Sequence, residues 1–304
     1  MNENCSIFKN GNEIHLTRFL STVASGRHIL VAPSPRELAS IVDSHIWKIY
    51  GEVLTQRYAS SVNSPWSFSR HLDCASCRPE AVAEYYSLPL VIIVENVHTD
   101  GTFLEMVASK IRPRFRRHFH GVDPLIRLDQ AGGIGEIPKL LERTVARQKA
   151  SQLRGARVRV LAISDSDARK PGAVSENARE VIKAAQSVAA LAHILQKRSI
   201  ENYFPDDALL AYSAQRADRA HIVKTIVSLQ GSARDFYPIK KGLDPKDIDE
   251  LDIYEPGTPI GHGLGDFAGD LMSNFHHEIR AEALKGRDGI GELEALLDTI
   301  EEHL

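Results

Sequence analysis

Three short acidic motifs, the first two at the end of an apolar run, constrain what this chain can fold into more than any other feature. They are Leu90-Val-Ile-Ile-Val-Glu95, Val158-Arg-Val-Leu-Ala-Ile-Ser-Asp165-Ser-Asp167 and Ser199-Ile-Glu201-Asn-Tyr203. A run of about five apolar residues without alternation fits a strand buried on both faces, the condition of a parallel sheet. A carboxylate directly after such a run lies at the carboxyl tip of the strand, where open α/β sheets bind their ligands.

The surrounding pattern agrees. From Leu88 onward the sequence predicts strands over 90–95, near Leu125–Leu128, over 158–164 and at Ala192–Leu195. Helical periodicity falls between them, over about 101–112, 136–150 and 175–189. Strands alternating with helices of this length predict crossover connections and a mostly parallel sheet flanked by helices. Residues 1–86 read as an N-terminal α/β appendage, with a strand at His28–Ala32 and an amphipathic helix from Arg36 to about Thr55. A polar, Pro-containing loop is expected over Ser60–Ser69. Residues 87–245 form the α/β domain, and 246–304 an acidic helical region ending in an amphipathic helix over 289–303. Gly257–Gly265, with four glycines and one proline, reads as a flexible loop.

Composition narrows the class. The 304 residues are 43% hydrophobic and 25% charged, as in ordinary globular proteins. No run reaches the roughly 20 apolar residues of a membrane span. The N-terminus lacks the basic-then-apolar layout of a signal peptide, so the expected location is cytoplasmic. Cys5, Cys74 and Cys77 are too few for a disulfide framework, and a single CxxC falls short of a structural zinc site. Charge is unevenly spread. Residues 244–304 carry 16 acidic and 4 Lys/Arg residues, leaving 24 acidic against 33 basic in residues 1–243. A basic body with an acidic tail is one pattern of proteins that meet polyanions, though a merely solvated tail gives the same count.

Several carboxylates delivered to one crevice repel one another unless a hard cation lies between them, and Mg2+ suits oxygen ligands. Asp165 and Asp167, two residues apart at a strand end, are expected on the same side. With Glu95 they would hold one or two divalent ions able to clamp the oxygens of a scissile phosphate. The alternative for each Asp alone is that it caps the following turn. Between the first two motifs, Lys110-Ile-Arg112-Pro-Arg114-Phe-Arg116-Arg117-His-Phe-His120 is basic and aromatic without an acid. Arg112, Arg114, Arg116 and Arg117 are therefore candidate phosphate contacts, with the phenylalanines available to stack a base. A second acid-free basic stretch covers 143–159. Gly132-Gly-Ile-Gly135 lacks the Gly-Lys-Ser/Thr of a P-loop, so ATP hydrolysis by that route is not expected.

A strand ending in Glu, a Gly-Gly segment before a helix, a strand ending in D-x-D and then I-E-N-Y, in that order, resemble the TOPRIM domain. The similarity is greatest to the version in the OLD-type (overcoming-lysogenisation-defect) nucleases and related phage-defence effectors, and covers roughly residues 88–245. The resemblance implies a domain that binds Mg2+ or Mn2+ and cuts DNA or RNA. By the same resemblance, Glu95 would bind metal or act as general base, Asp165 and Asp167 would be paired metal ligands, and Glu201 would serve the second metal position. Lys240 or Lys241 would be the lysine beside the phosphate. The family commonly has Gly after its first Glu and a second acid four residues on. Here Asn96 follows Glu95, and the nearest acid, Asp100, is five residues on. Either the loop holds one extra residue or Asp100 is not a ligand.

OLD-type nucleases often carry a fused ATPase, so the resemblance also implies a separate ATPase or sensor protein as controlling partner. Homo-oligomerisation stays open. Two other readings accompany the nuclease: a catalytically silent TOPRIM-like binding or scaffold subunit, favoured by Asn96, and a phosphotransferase of haloacid-dehalogenase type with Asp165 as nucleophile. Ala168-Arg169-Lys170 after the D-x-D departs from the Gly-Thr of that second family.

Overall fold

The structure is a computed structural model, and it describes residues 12–24, 36, 39–40, 42, 44–62, 78–120, 124–149, 157–255, 258 and 261–304. The chain divides into two compact units. One comprises Met1–Pro89, Val145–Arg159 and Leu304, the other Leu90–Thr144 and Val160–His303.

In the first unit the elements among the described residues 12–89 are helices: α1 (Glu13–Ala24), α2 (Ser44–Val62) and α3 (Pro79–Ser87). Leu16, Phe19, Leu20 and Val23 recur at the spacing of one helix face, and all four are buried. They meet Val42, Ile46 and Ala81–Ala83, with Trp47, Tyr50, Tyr85 and Tyr86 around the rim. Pro79 opens α3, where its missing N–H costs nothing. Arg36, Ala39 and Ser40 are helical as expected, but Val42 lies in a bend, so the expected 36–55 helix is interrupted, and α2 runs further than Thr55, taking in Ser60–Val62 of the predicted loop. The polar stretch before Val62 has no apolar stripe to announce it, yet nothing in it breaks a helix. The expected strand at His28–Ala32, the rest of the loop, and Cys5, Cys74 and Cys77 lie outside the described residues.

The second unit is an α/β unit. In chain order it contains β1 (Leu90–Val94), α4 (Thr102–Ile111), β2 (Ile126–Gln130), the start of α5 (Ile137–Lys149), β3 (Val160–Ser164), α6 (Glu176–Val188) and β4 (Leu191–Ile194). The four strands are parallel and ordered β2-β1-β3-β4. Every residue of β1 and β3 is buried, as their unbroken apolar runs require, while the edge strand β2 is buried at Ile126 and exposed at Arg127 and Gln130. Helix α6 is capped by Ser175, whose side chain accepts the Ala178 N–H, and packs on β3 and β4.

Among the described residues helices then follow without further strands: α7 (Asp206–Ala214), α8 (Ala220–Ser228), α9 (Gly231–Asp235), α10 (Pro245–Glu250), α11 (Ala268–Asn274), α12 (Ala281–Asp288) and α13 (Glu292–Glu301). Residues 246–303 share the compact unit of the sheet. In α13, Leu293, Leu296, Leu297 and Ile300 form the apolar face read from the sequence, and all are buried. A line of rings, Phe103, Phe204, Phe267, Tyr212 and Phe275, links α4 to α7 and α11, with successive centroids 5.6–6.0 Å apart. Residues 261–265 of the expected flexible loop are tied down instead. The Leu264 N–H reaches Ile239 O at 2.7 Å and the Gly265 N–H reaches Lys240 O at 3.0 Å.

Ile92 lies at the centre of the sheet with no exposed surface, whereas Ile14 on α1 is 82% exposed. Ile92→Ala is expected to lower the unfolding free energy in urea by about 2–5 kcal/mol. Ile14→Ala should stay within about 0.5 kcal/mol of the parent.

Candidate functional site

The strand order decides where chemistry can sit. From β1 the chain moves to one side to make β2 and then crosses to the other to make β3, so a crevice opens beyond the carboxyl ends of β1 and β3. Glu95 follows the last residue of β1 and Asp165 follows the last residue of β3. These two strands pair with Val91 opposite Val160 and Ile93 opposite Ala162. Continued by two residues, this register sets Glu95 beside Ser164, one residue short of Asp165.

The turn after Glu95 answers the spacing of the acids. Val97–Gly101 is a π-helical turn, in which the Gly101 N–H reaches back five residues to Asn96 O at 3.3 Å. Such a turn holds one residue more than an α-turn. It brings Asp100 close enough for its charge to act on Glu95. Asp100 also has local duties: Oδ2 accepts the Asn96 N–H at 2.9 Å and Oδ1 accepts from Thr99 Oγ1 at 3.1 Å. Asn96 caps the same turn through its side chain, which accepts the His98 N–H.

Asp165 and Asp167 do not share a strand face as expected, because β3 ends at Ser164 and the alternation of side chains ends with it. Asp165 is partly enclosed, while Asp167 is exposed with φ 47°, a left-handed conformation that Asp tolerates better than most residues. The residue between them holds the loop. Ser166, 2% exposed, donates through Oγ to Lys197 O at 2.8 Å, and the Asp167 N–H donates to Arg198 O at 3.0 Å.

Each residue of Ile200-Glu-Asn-Tyr203, a 3₁₀ turn, has its own task. The Ile200 N–H donates to Asp165 Oδ1 at 3.1 Å, joining the turn to the D-x-D loop. Glu201 has no exposed side-chain surface. Its Oε1 lies 3.1 Å from the Lys240 ammonium, an ion pair without hydrogen-bond alignment, and neither carboxylate oxygen has a hydrogen-bond partner among the described residues. Asn202, wholly buried, accepts the Ser199 N–H and donates through Nδ2 to Arg234 O at 3.1 Å and Tyr237 O at 3.0 Å. It thereby fixes the segment that carries Lys240. The Tyr203 hydroxyl donates to Glu292 and accepts the Lys197 N–H at 3.2 Å.

Between the two candidate lysines the structure distinguishes clearly. Lys240 faces Glu201, and Lys241 is exposed. Burial alone would lower the Lys240 pKa, but Glu201, Asp165 and Asp100 outweigh it and hold the ammonium above its ordinary value. The acids respond in the opposite sense. Asp165 is raised well above its ordinary 3.8, first by burial and then by Glu201 and Asp100. Glu95 is raised by burial and then by Asp100 and Asp167, and Asp100 mainly by burial. The crevice thus gathers five carboxyls around one ammonium. Among the described residues no set of three or more His, Cys, Asp or Glu side chains is already assembled as a metal-holding group.

The basic segment after α4 divides. The Arg112 guanidinium is taken up by Asp298 and by Glu301 at 2.9 Å, which ties α4 to α13. Arg114, Arg116 and Arg117 are exposed. Phe115 and Phe119 are buried, so they support the turn and are not open to stack a base. Packing took precedence over polar surroundings, because two phenylalanines at helical spacing next to a hydrophobic unit gain more by burial. Sequence reasoning missed Ser166, and it missed Glu292, buried at the start of α13, where it also accepts the Gln196 N–H and meets His193 Nε2, each at 2.9 Å. No apolar pattern marks a buried acid whose partners are about a hundred residues away.

Comparison with known proteins finds no matching family model, no matching curated protein and no matching solved structure. No helix among the described residues is long and apolar enough to cross a membrane.

The raised acids make stability depend on pH. Asp165 binds its proton more tightly in the folded chain than in the unfolded one. The resulting stabilisation is therefore complete below the ordinary carboxyl range and is lost as pH rises through the raised folded value. In EDTA, wild type should lose unfolding free energy relative to Asp165→Asn as pH rises from about 4. Urea titrations at stepped pH measure the difference, and a gap between the two proteins that stays constant with pH would refute the assignment.

Proposed function

We propose that the second unit is a divalent-metal-dependent nuclease, cutting DNA or RNA phosphodiester bonds, of TOPRIM type and similar in use to the OLD-type phage-defence effectors. One observation carries the reading. Five carboxyls, Glu95, Asp100, Asp165, Asp167 and Glu201, converge with a single lysine, Lys240, at the switch point of a parallel sheet. If all ionise, four negative charges are left over, which two divalent cations would neutralise. The wholly buried oxygens of Glu201, which have no hydrogen-bond partner among the described residues and only the Lys240 ammonium beside them, fit such a charge, and the all-oxygen donor set fits Mg2+ or Mn2+.

Glu95, Asp165, Asp167 and Glu201 would hold the metal, and when bound it supplies a Lewis acid for the phosphate and the attacking water. The protein groups do the rest. Lys240 is a fixed cation, kept charged by the acids around it, and stabilises the charge that grows on the phosphate oxygens. Glu95, with its raised affinity for protons, accepts the proton of the attacking water. Asn202 and Ser166 hold these groups in place. Arg114, Arg116 and Arg117 offer exposed charge to the nucleic-acid backbone. A separate ATPase or sensor protein would control the activity.

A second reading, a silent binding subunit, is favoured by Asp100, since both of its oxygens are already engaged within the turn. Purified protein incubated with plasmid DNA, single-stranded DNA and total tRNA, in Mg2+, Mn2+ or EDTA, separates the two. Cleavage that requires metal and falls by about 10²-fold or more in Asp165→Ala and Lys240→Met supports the nuclease. Cleavage unchanged in Asp165→Ala refutes it, and metal binding by calorimetry without cleavage under any condition points to the silent subunit.

A further inference from the structure

The segment carrying Lys240 is crossed by a second segment at a point where no side chain fits. An ideal Cβ on Gly242 would stand 1.8 Å from Gly261 O and 2.7 Å from Gly263 N. A Cβ on Gly263 would stand 2.2 Å from Lys240 O and 2.5 Å from Gly242 N. Gly242 also has φ +84°, which excludes most side chains on backbone grounds alone. Two backbone hydrogen bonds, Leu264 N–H to Ile239 O at 2.7 Å and Gly265 N–H to Lys240 O at 3.0 Å, draw the segments together. Leu264 and Phe267 anchor the crossing segment in the core, and Arg219 donates to Gly263 O at 3.3 Å. The other side of the Lys240 segment is held by Asn202.

We propose that residues 261–265 are a positioning strap for Lys240, with Gly242 and Gly263 as the side-chain-free crossing that seats its ammonium against Glu201. The proposal rests on the nuclease reading only for its consequence in activity; the placement of Lys240 stands on the geometry alone. The Lys240 side chain is 39% exposed, but its ammonium is paired at 3.1 Å with a carboxylate that has no exposed surface, which makes it less available to reagents than the exposed Lys241. If the crossing is forced open, the Lys240 carbonyl must move and the side chain leaves Glu201.

The test is competitive acetylation of the full-length chain with an activated acetyl ester, with modification at Lys240 and Lys241 quantified by mass spectrometry. In wild type, Lys240 should react several-fold more slowly than exposed Lys241. Gly263→Ala should raise the Lys240 rate toward that of Lys241 while the circular dichroism spectrum and urea midpoint show a folded chain. Gly261→Ala supplies the control, because its Cβ would meet nothing within 4 Å, and it should behave as wild type. A folded Gly263→Ala with a wild-type Lys240 rate overturns the proposal. If Gly263→Ala does not fold, hydrogen exchange on wild type decides: protected Leu264 and Gly265 amides support the strap, and unprotected ones overturn it. Should the chain prove a nuclease, Gly263→Ala should lower kcat and leave KM for nucleic acid unchanged. Absence of nuclease activity removes only this last arm, so the failure of one idea is not mistaken for failure of the other.

Discussion

Burying a carboxylate is costly unless a cation lies within reach, and Glu201, without exposed surface, has one, Lys240, at 3.1 Å. Much of the local architecture serves that meeting. Glu201 stands on a 3₁₀ turn after β4, and Lys240 stands nearly forty residues later, past α7, α8 and α9. Bringing them together requires that the turn be fixed to the sheet and the lysine segment be fixed to the turn. The Ile200 N–H to Asp165 does the first, and the Asn202 amide to Arg234 O and Tyr237 O does the second. Burial first, and then neighbouring carboxylates that a single ammonium cannot balance, make Asp165, Glu95 and Asp100 hold protons more tightly than usual.

A second charged cluster supports the first from behind. Glu292 receives Tyr203, Gln196 and His193, while Asp235 bridges Lys197 and Arg287, each at 2.6 Å. The acidic C-terminal region is therefore not only a solvated tail. Two of its charged residues, Arg287 and Glu292, are built into the support of the Ile200–Tyr203 turn, and Asp298 and Glu301 hold Arg112. Removing either partner of such a buried contact would leave the other uncompensated, so the cluster favours one arrangement of the turn over its neighbours.

How much of this was legible depended on the range of the cause. The strands were readable because LVIIV in β1 and VLAIS in β3 are apolar without alternation, a local signature of burial on both faces. Helices α4, α5 and α6 fell within a residue or so of their expected spans, since a 3.6-residue period survives in a single sequence. Asp165 and Glu95 were readable as strand-tip acids, whereas the left-handed loop that carries Asp167 past the end of β3 was not. The choice of Lys240 over Lys241 was not, since two adjacent lysines differ only in what the fold sets before them. The buried state of Phe115 and Phe119 was misread because neighbouring arginines mask two positions that face inward. Gly242 and Gly263 were visible only as glycines. Their significance is a crossing between segments about twenty residues apart, which no local pattern records.

The π-turn after β1 has a further consequence for how such a chain can drift. A residue inserted into an ordinary helical turn rotates everything after it by about 100°, which would carry Phe103 away from the rings of Tyr203 and Phe204. By closing over five residues, Val97–Gly101 takes in one residue more than an α-turn before α4 begins, and the buried face of α4 starts in phase with those rings. The turn works as an expansion joint. The ligand side of the sheet thus has a loop length set apart from the helical phase of the hydrophobic side.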